Sequence, residues 1–346
     1  MIDFKPTLVI AEAGVNHNGE LGLALDLVDM AADCGADIVK FQTFDSESLA
    51  TERATLAEYQ MENLGRDRYG DLSQREMLKQ LELTNDMLFP ILERCNTRNI
   101  EFMSTAFDVQ NLKELVNLGM GRIKIASGEI NNLPLLYLAS QCRLPIILST
   151  GMCALEEVRE VVEKLVSFNV ALQDLTILQC TTNYPATPDQ MNLLAMRTMA
   201  EEFNVCAGLS DHSEGPEAAL AAVALGATVI EKHITLDRTM KGPDHICSME
   251  ANEFSSLVNA IRVVERSLGD GRKKVLECEQ EHRRAVRKSI VARRNIKKGE
   301  IFSEENITTK RPGTGLSPMH WFDVIGRVAH REYLADDYIE CPEKSV

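Results

Sequence analysis

The sequence predicts an α/β protein, a closed (β/α)₈ TIM barrel followed by a small C-terminal domain. Two observations carry the barrel. Eight short apolar runs alternate with helical segments over about 250 residues, the span such a barrel needs. The turn after the first run, Glu12-Ala13-Gly14-Val15-Asn16-His17-Asn18-Gly19, lacks the G-x-G-x-x-G of a doubly wound open sheet, which is the competing architecture. A third observation carries the appendage. Past Gly269-Asp270-Gly271 the chain becomes densely charged and poor in apolar residues before apolar runs resume at Ser289, as expected of a linker.

Composition bounds the rest. A chain of 346 residues with 45% hydrophobic side chains can bury a full core and one further small domain. The formal charge of −15 disfavours nucleic acid and anionic membrane surfaces as partners. It also means that an anionic substrate would need a local concentration of Lys and Arg. No apolar run approaches the ~20 residues of a membrane span, and no signal peptide precedes Thr7. The nine cysteines form no Cys-x-x-Cys pair and sit mostly among apolar neighbours, the usage of a reduced, cytoplasmic protein.

Taken in order, the expected strands are Thr7–Ala13, Ile38–Phe41, Glu101–Met103, Arg122–Ala126, Pro145–Leu148, Leu175–Gln179, Val205–Leu209 and Thr228–Glu231. Each is short, and most are apolar and rich in β-branched residues. The clearest helices are Leu21–Asp33, Asp86–Arg98, Gln110–Leu118, Leu155–Phe168 and Pro216–Leu225, where apolar residues recur at helical spacing. A last helix, Ala251–Leu268, closes the barrel. The stretch from Ser46 to Leu83 is long for a barrel loop and is either a lid or a decorated surface loop. The domains are thus residues 1–270 for the barrel, 271–288 for the linker and 289–346 for the C-terminal module. At under 60 residues that module is expected to dock onto something larger.

Active sites of such barrels lie at the C-terminal strand ends. There the sequence presents Glu12, Asn16 and His17, then Lys40 and Gln42, Ser104 and Thr105, Lys124, Ser127 and Glu129, Ser149 and Thr150, and Thr181 to Tyr184. His212 and His233 finish the last two strands. Side by side at one rim, two neutral imidazoles suit a first-row metal ion, or else form a hydrogen-bonded core pair. Lys40, Lys124 and Lys232 lie within strand sequences, and buried cations need partners. Together with serines and threonines they resemble a cradle for phosphate and carboxylate. Asp244, in Gly242-Pro243-Asp244-His245, either binds a sugar hydroxyl or caps its turn. Arg311 is either an exposed turn residue or a clamp reaching an active site.

Several of these stretches together resemble one family. Ala11-Glu12-Ala13-Gly14-Val15-Asn16-His17-Asn18-Gly19, Lys40-Phe41-Gln42, Ser149-Thr150-Gly151-Met152, Ser210-Asp211-His212, Glu231-Lys232-His233, Gly242-Pro243-Asp244 and Lys310-Arg311-Pro312-Gly313 are similar to the motifs of bacterial sialic acid synthases. That family makes N-acetylneuraminate and related nonulosonic acids such as N,N′-diacetyllegionaminate. The resemblance implies that the C-terminal module is an antifreeze-like (SAF) domain, and that the protein is a homodimer in which this domain caps the partner's barrel. It implies condensation of phosphoenolpyruvate with an open-chain N-acylated hexosamine, with a divalent ion on the aldehyde oxygen. Mn²⁺ suits two imidazole ligands, His212 and His233, better than Mg²⁺, and Co²⁺ is also compatible.

The resemblance further implies that Lys40, Thr105, Lys124, Ser127, Ser149, Thr182 and Ser210 hold phosphoenolpyruvate. Glu12 is then the carboxylate at the reacting centre, and Gln42, Glu129, Tyr184, Asp244 and Arg311 contact the sugar. Two positions depart from the family pattern. Ala106 stands where a proline usually follows the threonine. In Thr181-Thr182-Asn183-Tyr184 an asparagine that some members use for phosphate falls one residue late, and strand alternation favours Thr182. A phosphoenolpyruvate-dependent synthase of 3-deoxy sugar acids and a non-enzymatic carbohydrate-binding protein are the alternatives. The choice of hexosamine depends on sugar-facing side chains, with Tyr59 and Gln60 as candidates.

Overall fold

The computed structural model describes residues 6–55 and 73–340. The chain divides into two compact units, one ending at Asp270 and one beginning at Gly271.

In the first unit eight parallel strands close into a barrel, each bonded to the next in sequence and the eighth to the first. They are β1 (Leu8–Gly14), β2 (Ile38–Thr43), β3 (Glu101–Ala106), β4 (Ile123–Ile125), β5 (Ile146–Ser149), β6 (Leu175–Cys180), β7 (Cys206–Asp211) and β8 (Val229–His233). The apolar runs are buried on both faces, which a parallel sheet wrapped by helices demands. Most strands extend one to three residues further toward their C-termini than apolarity alone predicts, because the polar residues that end them still pair. Asp211, for instance, is in register with Lys232, and Glu12 with His233.

The helices on the outside include Leu21–Asp33, Asn85–Arg98, Val109–Asn117, Leu155–Ser167, Glu217–Ala224 and Ala251–Leu268. Two more, Leu133–Gln141 and Leu194–Phe203, complete the alternation. In the first of these, Leu133, Leu135, Leu136 and Leu138 wrap around the cylinder and leave no clear apolar stripe. Among the described residues, the long connection after β2 contributes two short helices, Ser46–Leu49 and Gln74–Lys79. The second starts on a reciprocal cap between Ser73 and Glu76. Tyr59 and Gln60 lie outside the described residues.

The second unit has its own core of Ile290, Ala292, Ile296, Phe302, Ile307, Val324, Ala329, Tyr333 and Ile339. An antiparallel pair, β9 (Ser289–Ala292) and β10 (Ile307–Lys310), frames it. Isolated bridges from Ile296 to Tyr333 and from Ile301 to Val328 add backbone pairing. Ahead of β9 the expected linker contains an exposed helix, Gln280–Val286. The carbonyl of Arg284 in that helix accepts a hydrogen bond from the Gly313 amide at 2.8 Å, which ties the helix to this unit.

Candidate active site

At the C-terminal mouth of the barrel lies a cavity of about 560 Å³. Its floor is made of side chains that strand alternation turns inward. β2 supplies Lys40 and Gln42, β3 Thr105, β4 Lys124, β5 Ser149, β6 Cys180, β7 Ser210 and β8 Glu231 and His233. Glu12 comes from β1. It stands beside a register shift at Gly14 (φ +54°), a backbone conformation that favours glycine. Ser127, Glu129, Thr182, Tyr184, His212 and Asp244 enter from the loops just beyond the strands. Of the residues assigned a role from the sequence, only Arg311 belongs to the other unit, where it is exposed.

The floor is a compact charge network. Lys40 Nζ lies 2.6 Å from Glu12 Oε2, 3.6 Å from Glu231 Oε2 and 3.1 Å from Thr105 Oγ1. Lys124 Nζ lies 2.8 Å from Ser149 Oγ and 3.6 Å from Glu231 Oε1. Ser210 Oγ donates to Glu231 at 3.1 Å, and Gln42 Nε2 donates to Glu12 at 3.0 Å. All four charged groups are buried. Two cations this close would repel strongly in so dry a place, and Glu231 between them offsets that repulsion.

Burial pushes the Glu12 carboxyl up to about 7, against the pull of Lys40. Burial would raise Glu231 too, but Lys124 and Lys40 together outweigh it and hold that carboxyl down at about 2. Lys124, desolvated with only one carboxylate beside it, is lowered from the ordinary lysine range. Glu12 and Glu231 are therefore unlike: one can hold a proton near neutral pH, and the other stays ionised.

The two histidines stand together as expected from their strand ends. Their ring centroids are 5.4 Å apart, and Tyr184 stacks on His212 at 4.0 Å while meeting His233 edge-on at 5.7 Å. His212 Nδ1 lies 2.7 Å from the Thr181 carbonyl. A carbonyl can only accept, so Nδ1 carries a proton; against burial, the Cys180 sulfur and the Thr181 carbonyl raise His212 above the ordinary imidazole range. His233 Nδ1 is buried with no hydrogen-bond partner, 3.9 Å from an Asp244 carboxylate oxygen. Burial and the neighbouring His212 hold His233 well below the ordinary imidazole range, so this ring is neutral. Two adjacent imidazoles, one of them neutral with an orphaned nitrogen, fit a divalent ion bound by two protein ligands. Among the described residues no group of three or more His, Cys, Asp or Glu side chains adds further ligands.

Other residues expected at the strand-end mouth turn away from the cavity, among them Lys232, Ser104 and Thr150 of the expected anion cradle. Lys232 points to the outside of the barrel, where it pairs with Asp211 at 2.9 Å. The inward position on that strand belongs to Glu231, which the sequence reading passed over. Alternation counted back from His233 singles it out. Ser104 shares a hydrogen bond with Thr43 at 2.7 Å, and Thr150 donates to the Leu178 carbonyl at 2.9 Å. Asn16 donates to the Ile234 carbonyl at 2.8 Å and to Ser248 at 2.9 Å. His17 accepts from the Gly19 amide at 3.0 Å. These five hold the scaffold. Thr182 lines the cavity, while the neighbouring Asn183 is exposed and donates to Gln190 at 3.1 Å. Cys180, also unassigned from the sequence, lines the floor with its sulfur 3.9 Å from His212 Nδ1.

Comparison with known proteins gives this geometry a family. The model of the NeuB family matches residues 27–273, and that of the SAF domain matches residues 287–340. An N,N'-diacetyllegionaminic acid synthase of Campylobacter jejuni is 45% identical over 97% of this chain and 99% of its own length. A protein of the same name from Legionella pneumophila is 45% identical over 92% and 89%. Among solved structures, an N-acetylneuraminic acid (sialic acid) synthetase from Leptospira borgpetersenii superposes with a TM-score of 0.69 at 34% identity, covering 82% of this chain and 93% of that one. The chain belongs to the NeuB family, the phosphoenolpyruvate-dependent synthases of nonulosonic acids.

Proposed function

We propose that this protein condenses phosphoenolpyruvate with an open-chain N-acylated hexosamine and water, giving a nine-carbon 2-keto acid and phosphate. The name that the Campylobacter and Legionella relatives share, N,N'-diacetyllegionaminic acid synthase, favours 2,4-diacetamido-trideoxymannose over N-acetylmannosamine as the sugar. The observation that carries the reading is the floor network: two buried lysines with hydroxyls around them, beside a carboxyl able to hold a proton near pH 7 and an adjacent histidine pair.

In this reading Lys40 and Lys124 take the phosphate and carboxylate of phosphoenolpyruvate, with Thr105, Ser127, Ser149, Thr182 and Ser210 donating to their oxygens. Carbon 3 of the enol bonds to the sugar's aldehyde carbon as water bonds to carbon 2. The C2–O bond to phosphate then breaks, and the keto group forms. His212 and His233 would hold a divalent ion, Mn²⁺ by ligand preference, which supplies Lewis acidity to the aldehyde oxygen. Glu12 holds or delivers the proton that moves at the reacting carbons. Gln42, Glu129, Tyr184 and Asp244 orient the sugar. Arg311 would complete the sugar site from a partner subunit in a homodimer, and the cytoplasm, where phosphoenolpyruvate is made, would be the place of action.

The test is phosphate release from phosphoenolpyruvate by the full chain, with each candidate sugar, with and without Mn²⁺. The reading requires release that depends on both sugar and metal. Release without sugar, or none with any hexosamine or aldose, would refute it.

A further inference from the structure

Moving outward from the cavity floor, the lining changes character within one step along three neighbouring strands. On β2 the inward series runs Lys40, Gln42, Phe44; on β3 it runs Thr105, Phe107; after β1 it runs Glu12, Val15. A two-residue step along a strand is about 7 Å, so Phe44 and Phe107 stand one step outward of Gln42 and Thr105. Phe44 and Phe107 meet edge to face with centroids 5.9 Å apart. Met77 and Leu81, from the connection after β2, pack with Val15 and Phe44 into a cluster separate from the barrel core. All of these side chains line the cavity. Among the described lining residues the lysine and arginine side chains are Lys40 and Lys124 alone, both on the floor and both already paired to carboxylates.

A sugar whose aldehyde stands over the floor, between Glu12 and the histidines, extends its far end into this second layer. There a hydroxymethyl group would lose its water and meet carbon, and a phosphate would meet no cation among the described lining residues. A methyl group would be buried with benefit. We infer that the wall formed by Val15, Phe44, Met77, Leu81 and Phe107 determines sugar specificity, selecting a hexosamine that ends in a methyl group over one ending in a hydroxymethyl or a phosphorylated carbon. The inference rests on the synthase reading and adds to it the part of the chain that reads carbon 6.

The experiment compares kcat/KM of the full chain, with saturating phosphoenolpyruvate, for 2,4-diacetamido-2,4,6-trideoxymannose, for its 6-hydroxy counterpart, and for N-acetylmannosamine 6-phosphate. The expected preference for the methyl over the hydroxymethyl sugar is about 10- to 100-fold, the range an apolar pocket achieves, with the phosphorylated sugar poorer still. Met77→Gln should raise the KM for the methyl sugar and shrink that preference, leaving the KM for phosphoenolpyruvate where it was. Phe107→Leu, which keeps the wall apolar, should retain the preference. Equal kcat/KM for the methyl and hydroxymethyl sugars, or a preference for the phosphorylated one, would overturn the assignment while leaving the synthase reading intact. Consumption of phosphoenolpyruvate with none of the three would overturn both.

Discussion

Lys40 and Glu12 form a 2.6 Å ion pair that is buried beneath the cavity, and Glu231 stands 3.6 Å from the same ammonium. The lysine is held above its ordinary range because these carboxylates outweigh its burial. Glu12 is thus anchored at the place where the substrates would meet. Replacing Glu12 by Gln keeps the Gln42 contact but removes the exchangeable proton. A fall in kcat of about 100-fold or more is expected, within the span of general acid–base catalysis, with a smaller change in the KM for phosphoenolpyruvate. Steady-state kinetics of the variant checks this; an unchanged kcat would remove Glu12 from the chemistry.

Lys124 is bonded to Ser149 and faces Glu231. Lys124→Ala deletes one of the two lysines proposed to bind the anion and leaves Glu231 with a single lysine neighbour. The KM for phosphoenolpyruvate should rise about 10- to 100-fold, the value of one or two charge-assisted bonds, and the KM for sugar should move little. Initial-rate kinetics with each substrate varied would show the reverse pattern if the lysine served the sugar.

Gly151 has no room for a side chain. A Cβ there would lie 2.5 Å from the Thr182 methyl and 2.8 Å from Ser127 Oγ, and the Gly151 amide donates to that same oxygen at 2.9 Å. Gly151→Ala should displace both hydroxyls from the cavity wall. A stability loss of about 1–3 kcal/mol from overpacking and weaker phosphoenolpyruvate binding are expected in thermal melts taken with and without the ligand. If the ligand stabilised variant and parent equally, the two hydroxyls would not be part of its site.

His17 is buried, and that burial, with His245 nearby, lowers it to about 4. The folded chain therefore keeps the ring neutral while the unfolded chain protonates it near 6.5. Between those two values the unfolded state binds more protons, so stability falls as the pH drops from about 6.5 toward 4. For His17 the loss amounts to at most about 3 kcal/mol. His17→Gln should flatten this part of the stability curve, measured by denaturant melts across that range. Parallel curves for parent and variant would mean that the ring titrates normally in the fold.

The barrel was legible because most strands are short runs rich in β-branched residues that end in a polar cluster, and because His212 and His233 close neighbouring strands one helix apart. What sequence left open was the direction of each side chain. Lys232 looks like part of an anion cradle until the register pairs Asp211 with Lys232 and sends both outward. The same alternation turns Glu231 inward, where no residue type alone announces it. Strand alternation favours Thr182 over Asn183, and the hydrogen bond from Asn183 to Gln190 draws the asparagine the other way. The apolar second layer was invisible for a different reason. Val15, Phe44, Met77 and Phe107 lie on four segments far apart in the chain, and each resembles ordinary core until the barrel brings them over one opening.

The most direct measurement is the mass of the product formed from phosphoenolpyruvate, an N-acylated hexosamine and Mn²⁺ by the full chain, taken together with phosphate released. The account predicts one phosphate per product, and a product whose mass equals the sugar plus phosphoenolpyruvate plus water minus phosphoric acid, with both lost in His212→Ala and His233→Ala. A product lacking the three added carbons, or full yield from both histidine variants, would contradict it.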